Sequence, residues 1–227
     1  MASVALQSAT EFHPPAHRLL CVNIGCGTSV ADGWYNIDNS PTIWLSRVPL
    51  IRQIFQVPAW PKNVHRYNVL KGLPFSDGTV DFIYSSHTFE HFTFDQSLAL
   101  TQECFRALKP GGVLRIVVPD LNQLVRSYLA DPAPMASHKF IEHLSLSHTW
   151  RDLLHPGAHH QQMFDGRSLL AMLRQAGFEN AQLSRYRDSR IPELSGLEPE
   201  VRRQESIYVE AQKLSEAQNR MEYPKGA

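Results

Sequence analysis

Short apolar runs and longer amphipathic stretches alternate along most of this chain. The apolar runs have the length of buried strands, and five of them precede residue 120, at 19–24, 34–37, 64–68, 80–85 and 113–118. The stretch 94–108 has the pattern of a helix, and Lys-Pro-Gly-Gly at 109–112 predicts a stop that turns the chain directly into the next strand. Strands separated by helical stretches favour a parallel sheet covered on both faces.

The last third of the chain continues this pattern with one helix and two strands. Residues 167–175 predict a helix that ends before Gly177, and residues 181–186 and 206–211 predict two closing strands. We expect these two strands to form an antiparallel pair at the sheet edge. The predicted fold class is therefore α/β, a three-layer Rossmann-like sandwich with a mostly parallel seven-stranded sheet and an antiparallel edge pair.

The same pattern predicts one domain with two interruptions. Residues 18–213 form the expected domain, between a loose arm at 1–17 and a polar tail at 214–227. Insertions at about 41–62 and 121–162 fit no βα unit, and such insertions are where substrate selection usually lies, so we expect them over the active site. The first is rich in Trp, Ile, Leu and Phe, and three roles stay open for it: a pocket lid, a homodimer surface or a peripheral membrane contact.

Composition narrows the function classes. Twenty-two basic residues balance 22 acidic ones, with an isoelectric point near 7.2, which argues against nucleic acid as a partner. Three cysteines are an odd number, and two of them lie in or beside a glycine turn, which favours a reducing compartment. Neither a signal peptide nor an apolar stretch of about 20 residues is evident. We therefore expect a soluble, cytoplasmic protein with no membrane span.

A glycine turn near the N-terminus predicts a cofactor site. The first apolar run ends at Gly25 and Gly27, and the second ends at Asp38. A strand that breaks into glycines lets backbone N–H groups approach a ligand, and an acidic residue after the next strand can hold both ribose hydroxyls. These features predict a cofactor that contains adenosine. A nicotinamide fingerprint would need a third glycine and an acidic residue about 20 positions on, whereas Asp38 follows Gly25 by only 13.

Four stretches together resemble the class I S-adenosylmethionine (SAM)-dependent methyltransferases. They are Val-Asn-Ile-Gly-Cys-Gly at 22–27, Tyr-Asn-Ile-Asp at 35–38, Leu-Pro-Phe-Ser-Asp-Gly-Thr-Val-Asp-Phe-Ile-Tyr at 73–84, and Leu-Lys-Pro-Gly-Gly-Val-Leu-Arg-Ile at 108–116. Within that class the chain is similar to the methyltransferase-type-11-like proteins that often accompany bacterial glycosyltransferases. The resemblance implies SAM as cofactor and O-methylation of a small molecule or a glycan or cell-envelope sugar. A non-catalytic SAM-binding module and, more remotely, an NAD-dependent oxidoreductase are the alternatives.

The resemblance also implies roles for individual residues. The glycine turn would face the methionine part of SAM, Asp38 the ribose, the end of the third strand the adenine, and the end of the fourth strand the sulfonium. The cofactor-binding residues implied are Asn23, Gly25, Cys26, Gly27, Asp38, Asn68, Val69, Leu70, Ser85, Ser86 and His87. Asn23 and Asn68 stand where many relatives carry an acidic residue, and Thr28 replaces a frequent glycine. An amide at position 68 still permits recognition of an adenine edge.

Histidines are the candidate acceptor-side groups. His87-Thr-Phe-Glu-His91 matches an inverted zinc-protease motif, but it directly follows a predicted strand and lacks an evident downstream acidic ligand, so we predict no metal. His87 or His91 is instead the candidate base that takes a proton from the acceptor. Of the six histidines at 138–160, His159 and His160 are the candidate acceptor contacts. With Asp165 they resemble a facial ligand set, which we regard as the weaker interpretation.

Overall fold

One seven-stranded sheet organises the molecule. The computed structural model describes residues 19–47, 59–130, 160–192 and 194–215, and positions 50, 53, 217, 218 and 221. The strand order is β3-β2-β1-β4-β5-β7-β6, and only β7 runs antiparallel to its neighbours, so the edge pair is antiparallel. The predicted fold class is confirmed. The strands are β1 Cys21–Ile24, β2 Tyr35–Asp38, β3 Val64–Arg66, β4 Val80–Ser86, β5 Leu108–Pro119, β6 Gln182–Ser184 and β7 Ser206–Gln212.

Four α-helices and four short 3₁₀ turns lie among the described residues. The helices are α1 Thr42–Leu45, α2 Phe94–Ala107, α3 Leu121–Ala130 and α4 Gly166–Gln175. The 3₁₀ turns are Val69–Lys71, Phe89–His91, Leu194–Gly196 and Glu200–Arg202. Both long helices that cover the sheet begin at a capping box, Thr93 with Gln96 for α2 and Asp165 with Ser168 for α4. No helix in the described part of the chain is long and apolar enough to cross a membrane.

The two sheet faces are covered differently. On one face the apolar sides of α2 and α4, with residues such as Leu100 and Met172, join the largest core cluster. On the other face a smaller cluster forms around Tyr84, Val117 and Leu197, and its covering residues come from the segment before β7. The second face therefore depends on an irregular segment of the chain being held in place.

A buried charge network holds that irregular segment. Arg115 on β5 is fully buried, and its guanidinium donates to both carboxylate oxygens of Glu198, at 2.6 and 3.2 Å. It also donates to the backbone oxygens of Arg185 and Asp188, and lies 3.6 Å from Glu210 of β7. A buried charge needs such partners because it has lost its water. The network ties the segment at 185–198 to the centre of the sheet.

The Lys-Pro-Gly-Gly stretch departs from the prediction. It ends α2 as expected, but β5 already begins at Leu108, which pairs with Val80, and the register shifts between Val80 and Phe82. The stretch is therefore an irregular part of β5 and not a separate turn. It stays attached to the chain that follows β7, since Gly111 N–H donates to the backbone oxygen of Lys213 at 2.7 Å. A Cβ on Gly112 would lie 2.9 Å from the Lys109 oxygen, so this position requires glycine.

Candidate active site

A cavity of about 600 Å³ opens at the carboxyl ends of β1, β2 and β4. This is the edge where ligands bind in open α/β sheets, because the loops after parallel strands converge there. The residues that line it are Asn23, Gly25, Cys26, Gly27, Thr28, Ser29, Ile37, Asp38, Asn39, Ser40, Pro41, Tyr67, Val69, Tyr84, Ser86, His87, Thr88, His91, Phe92, Leu197, Pro199 and Arg202. The volume falls within the range of small-molecule sites, roughly 300–1,000 Å³.

The two glycines of the turn serve different purposes. Both have left-handed backbone, with φ of 65° at Gly25 and 52° at Gly27. A Cβ on Gly25 would lie 2.0 Å from the Thr88 hydroxyl, so that glycine admits the chain that follows β4. A Cβ on Gly27 would meet nothing within 4 Å. The open space for a ligand is therefore beside Gly27.

Asp38 is held by the backbone on both sides. Gly27 N–H donates to its Oδ2 at 2.9 Å, and Ser40 N–H donates to its Oδ1 at 2.8 Å. An ionised carboxylate has about four acceptor positions, so two backbone donors leave room for more hydrogen bonds. The side chain lies at the cavity in a fixed orientation and can accept from two adjacent hydroxyl groups.

Asn23 acts first as an internal brace. The side chain is buried, and its NH₂ group donates to the Ser29 oxygen at 2.9 Å and to Asn36 Oδ1 at 3.1 Å. Asn36, also buried, donates in turn to the backbone oxygens of Ala31 and Trp34. Both N–H groups of Asn23 are thereby used, and its oxygen is the group that can accept from a ligand ammonium.

The Cys26 thiol is a neutral part of the same wall. Its backbone N–H donates to the Ile37 oxygen at 3.0 Å, which extends the pairing of β1 with β2. Burial, with the nearby Asp38 charge as the lesser cause, raises the pKa of the Cys26 thiol to about 12. A thiol with this pKa is protonated and unreactive at neutral pH.

Three of the predicted cofactor contacts lie outside the cavity lining. Asn68 Oδ1 accepts from Leu70 N–H at 3.1 Å, so its side chain caps the 3₁₀ turn, and Leu70 is 40% exposed. Ser85 is buried and donates to the Ile24 oxygen at 3.1 Å, which braces β4 against β1. Val69, between the first two, does line the cavity.

His87 occupies a strained position at the end of β4. Its φ is 52°, a left-handed conformation that costs a non-glycine residue about 1–2 kcal/mol. Its N–H donates to the Val117 oxygen at 2.8 Å, its ring Nε2 lies 3.0 Å from Ser206 Oγ, and its Nδ1 lies 3.4 Å from Glu90 Oε1. Strain that neighbours maintain in this way is typical of functional sites.

His91 and His160 meet beside Glu90. Their rings are 5.0 Å apart and nearly perpendicular, and His91 lines the cavity. His160 Nε2 lies 4.0 Å from Glu90 Oε1. His159, the other predicted acceptor contact, lies outside the described residues. Asp165 caps α4 by accepting from Ser168 N–H at 2.8 Å, which explains its place in the sequence without a metal.

One family of known proteins matches most of the chain. The methyltransferase domain family matches residues 20–183. The chain belongs to this family. Family membership supports SAM as the methyl donor, as the sequence predicts. No curated protein matches the chain.

The fold is shared with a solved methyltransferase structure. The S-adenosylmethionine-dependent methyltransferase SibL is 14% identical, with a TM-score of 0.50 over 87% of this chain and 51% of SibL. The chain thus spans about half the length of SibL. A SAM-dependent methyltransferase from Thermotoga maritima is 21% identical, with a TM-score of 0.46 over 86% of this chain and 81% of that one.

The methyltransferase site also contains residues that the sequence did not single out. Leu197, Pro199 and Arg202 come from the segment before β7, and Arg202 Nη1 lies 3.4 Å from Ser86 Oγ. Tyr84 donates its hydroxyl proton to the Leu197 oxygen at 3.1 Å, which secures this segment over the cavity. The spacing of these residues in the sequence does not indicate a site, because they lie at the cavity only when their segment packs on the second face of the sheet.

Proposed function

We propose that this methyltransferase transfers the methyl group of SAM to a hydroxyl oxygen of a small molecule or of a glycan or cell-envelope sugar. The observation that carries the proposal is the cofactor side of the cavity, where Gly27 borders open space and Asp38 presents a fixed carboxylate. Such a carboxylate suits the two hydroxyls of a ribose. An O-directed reaction is favoured because His87 and His91 line the cavity after β4 and can take a proton from a hydroxyl group.

Alignment of donor and acceptor is the main task in this chemistry. The sulfonium of SAM already activates the methyl carbon, so the protein has to hold the two reactants in line and exclude water. Asp38 and the turn at Gly27 would hold the nucleoside, and the Asn23 oxygen would accept from the ammonium of the methionine part. The acceptor would then enter from the side of His91 and Arg202.

A base is required if the acceptor is a neutral hydroxyl. His87 and His91 both line the cavity, and either imidazole can take the proton. Two observations support His87 as the base: its strained backbone and the Glu90 carboxylate 3.4 Å from its Nδ1. A carboxylate behind an imidazole fixes the orientation of the ring.

Calorimetry with S-adenosylhomocysteine tests the cofactor assignment. The wild-type chain should bind with one site, and Asp38→Ala should bind about 10–150-fold more weakly, the equivalent of one hydrogen-bonded charge, or about 1.5–3 kcal/mol. Asp32→Ala removes an exposed carboxylate from the loop between β1 and β2 and is the matched control. Absence of binding to the wild-type chain, or an equal loss in both variants, would contradict the proposal.

Methyl transfer itself needs a separate measurement. A panel of hydroxylated small molecules and sugars, offered with tritiated SAM, should give a labelled product with the wild-type chain. His87→Gln and His91→Gln should keep S-adenosylhomocysteine binding, and the variant that removes the base should lower kcat by about 10²–10⁴-fold. Binding without turnover on every acceptor would favour the non-catalytic SAM-binding module instead.

A further inference from the structure

A buried carboxylate without hydrogen bonds lies beside the active-site cavity. Glu90 is 1% exposed, and neither of its carboxylate oxygens takes part in a hydrogen bond within the described part of the chain. An ionised carboxylate in such a place needs compensation by a proton or a cation, because its hydration has been removed. The proposed function uses Glu90 only as the carboxylate behind His87, whose Nδ1 lies 3.4 Å from Oε1.

Two further imidazoles, those of His91 and His160, approach the same carboxylate. One ligand atom each from Glu90, His91 and His160 can be chosen so that all three lie within 4.8 Å of one another. A tetrahedral ion with ligands at about 2.0–2.1 Å holds them roughly 3.4 Å apart. The distance between His160 Nε2 and Glu90 Oε1 is 4.0 Å, and all three ligand atoms lie within 4.8 Å of one another, so binding an ion would draw these atoms together by at most about 1.4 Å. Two histidines and one carboxylate are a donor set that zinc and related transition metals prefer.

The two chain segments that supply these ligands are fastened to each other. Gln161 N–H donates to the backbone oxygen of Glu90 at 2.7 Å, and the Gln161 side chain donates to the backbone oxygen of His91 at 2.9 Å. The Gln162 side chain donates to Ser97 Oγ at 2.7 Å and to the Phe89 oxygen at 3.3 Å. The turn that carries Glu90 is therefore held against the segment that carries His160 by hydrogen bonds that need no ion.

We propose that Glu90, His91 and His160 form a binding site for one divalent transition metal of the zinc type. The site takes Glu90 and His91 from the first histidine motif and His160 from the second, neither of which predicts a metal separately. With three protein ligands, a fourth position stays open for water. Because His91 also lines the cavity, the ion would lie next to the reactants. A nitrogen bound to a metal cannot take a proton, so His87 would be the base when the ion is present.

Cobalt(II) absorption tests this site without an activity assay. The full chain, freed of metal with a chelator, should take up one Co²⁺ with the visible bands of low-coordinate cobalt, and one equivalent of Zn²⁺ should abolish them. Mg²⁺ should not compete, because it prefers six oxygen ligands. Metal analysis by mass spectrometry should give one zinc per chain after dialysis.

Substitutions identify the ligands. Removal of an outer-shell partner weakens metal sites about 10–100-fold, so Glu90→Gln and His160→Ala should each weaken Zn²⁺ binding at least about 100-fold. His91→Gln is a third variant in case Glu90→Gln does not fold, as judged by circular dichroism. His65→Gln removes an exposed imidazole on the edge strand β3, away from the proposed site, and should leave the affinity for Zn²⁺ unchanged.

Two results would overturn the metal site. One is wild-type protein without stoichiometric Co²⁺ or Zn²⁺ uptake, which would assign the charge compensation of Glu90 to a proton on a neighbouring imidazole. The other is affinity that survives in Glu90→Gln, His91→Gln and His160→Ala alike, which would place bound metal on other histidines. Either result leaves S-adenosylhomocysteine binding, and with it the proposed function, unaffected.

Discussion

The two sides of the cavity are built in opposite ways. The proposed cofactor side, residues 23–41, is almost continuous in sequence and consists of backbone amides, neutral side chains and one carboxylate. The proposed acceptor side, residues 84–92 with 197–202, joins distant segments and carries histidines, a buried glutamate and an arginine. The cofactor side therefore follows from local sequence, whereas the acceptor side exists only when the second sheet face is packed.

The largest difference between the two sides should appear when the charge network under the acceptor side is removed. Glu198→Gln removes the carboxylate that accepts two hydrogen bonds from buried Arg115 and leaves only Glu210, at 3.6 Å, as a counter-charge, so the free energy of unfolding should fall by about 3–5 kcal/mol. Urea denaturation measures this loss. Protein that remains folded should still bind S-adenosylhomocysteine with wild-type affinity, because the network lies outside the cofactor side.

The exposed pair Arg203–Glu200 provides the control for this experiment. Its members are 3.0 Å apart and in solvent, so Glu200→Gln should leave the unfolding midpoint almost unchanged. A comparable loss in both variants would show that the buried network has no special role in holding the acceptor side.

The second prediction separates the two glycines of the cofactor side. Gly25→Ala combines a left-handed residue, about 1–2 kcal/mol, with overpacking against Thr88, about 1–3 kcal/mol. Gly27→Ala carries only the first cost, yet it adds a methyl group beside the open space and should weaken S-adenosylhomocysteine binding. Thermal unfolding and calorimetry on the two variants distinguish these effects. Equal stability losses would contradict the different packing of the two positions.

A third prediction concerns the acceptor side alone. Under the proposed function, Arg202→Ala should raise the KM for the acceptor by roughly tenfold, about 1.4 kcal/mol, with the affinity for S-adenosylhomocysteine unchanged. Arg203→Ala, one position along and exposed, is the matched variant and should behave as wild type. A change in cofactor affinity with unchanged KM would move Arg202 to the cofactor side.

The smallest effect is expected from the Cys26 thiol. Its pKa is raised from 9.0 to about 12 by burial, so the unfolded chain loses this proton at lower pH than the folded chain. The stability that this group contributes is fully present below pH 9 and is lost as pH rises towards 12. Alkylation of the native protein at pH 8 should be negligible, and denaturation at pH 8 and pH 10 should show declining stability. Rapid alkylation of native Cys26 would contradict its burial.

Much of the cofactor side could be predicted from sequence for a physical reason. Strands and tight turns depend on neighbours within a few residues, so the run into Gly25 and the step to Asp38 are readable from composition and spacing. The family resemblance assigned Asn68 and Ser85 to the cofactor, and in the structure Asn68 Oδ1 caps a 3₁₀ turn and Ser85 braces β4 against β1. Local pattern shows where a strand ends, but the direction of each side chain there depends on its packing.

The acceptor side shows what local pattern could not decide. Nothing in the spacing of Glu90 and His160 indicates that they meet, since 70 residues separate them and the contact depends on hydrogen bonds between their segments. Nor does the sequence around Arg202 indicate a position at the cavity. By itself the sequence determined the α/β sheet, the methyltransferase family and the cofactor turn, because these rest on short-range periodicity and contiguous motifs. Tertiary structure alone decided which histidines share Glu90 and which segment closes the acceptor side, because buried charges and polar groups select their partners only when the chain has packed.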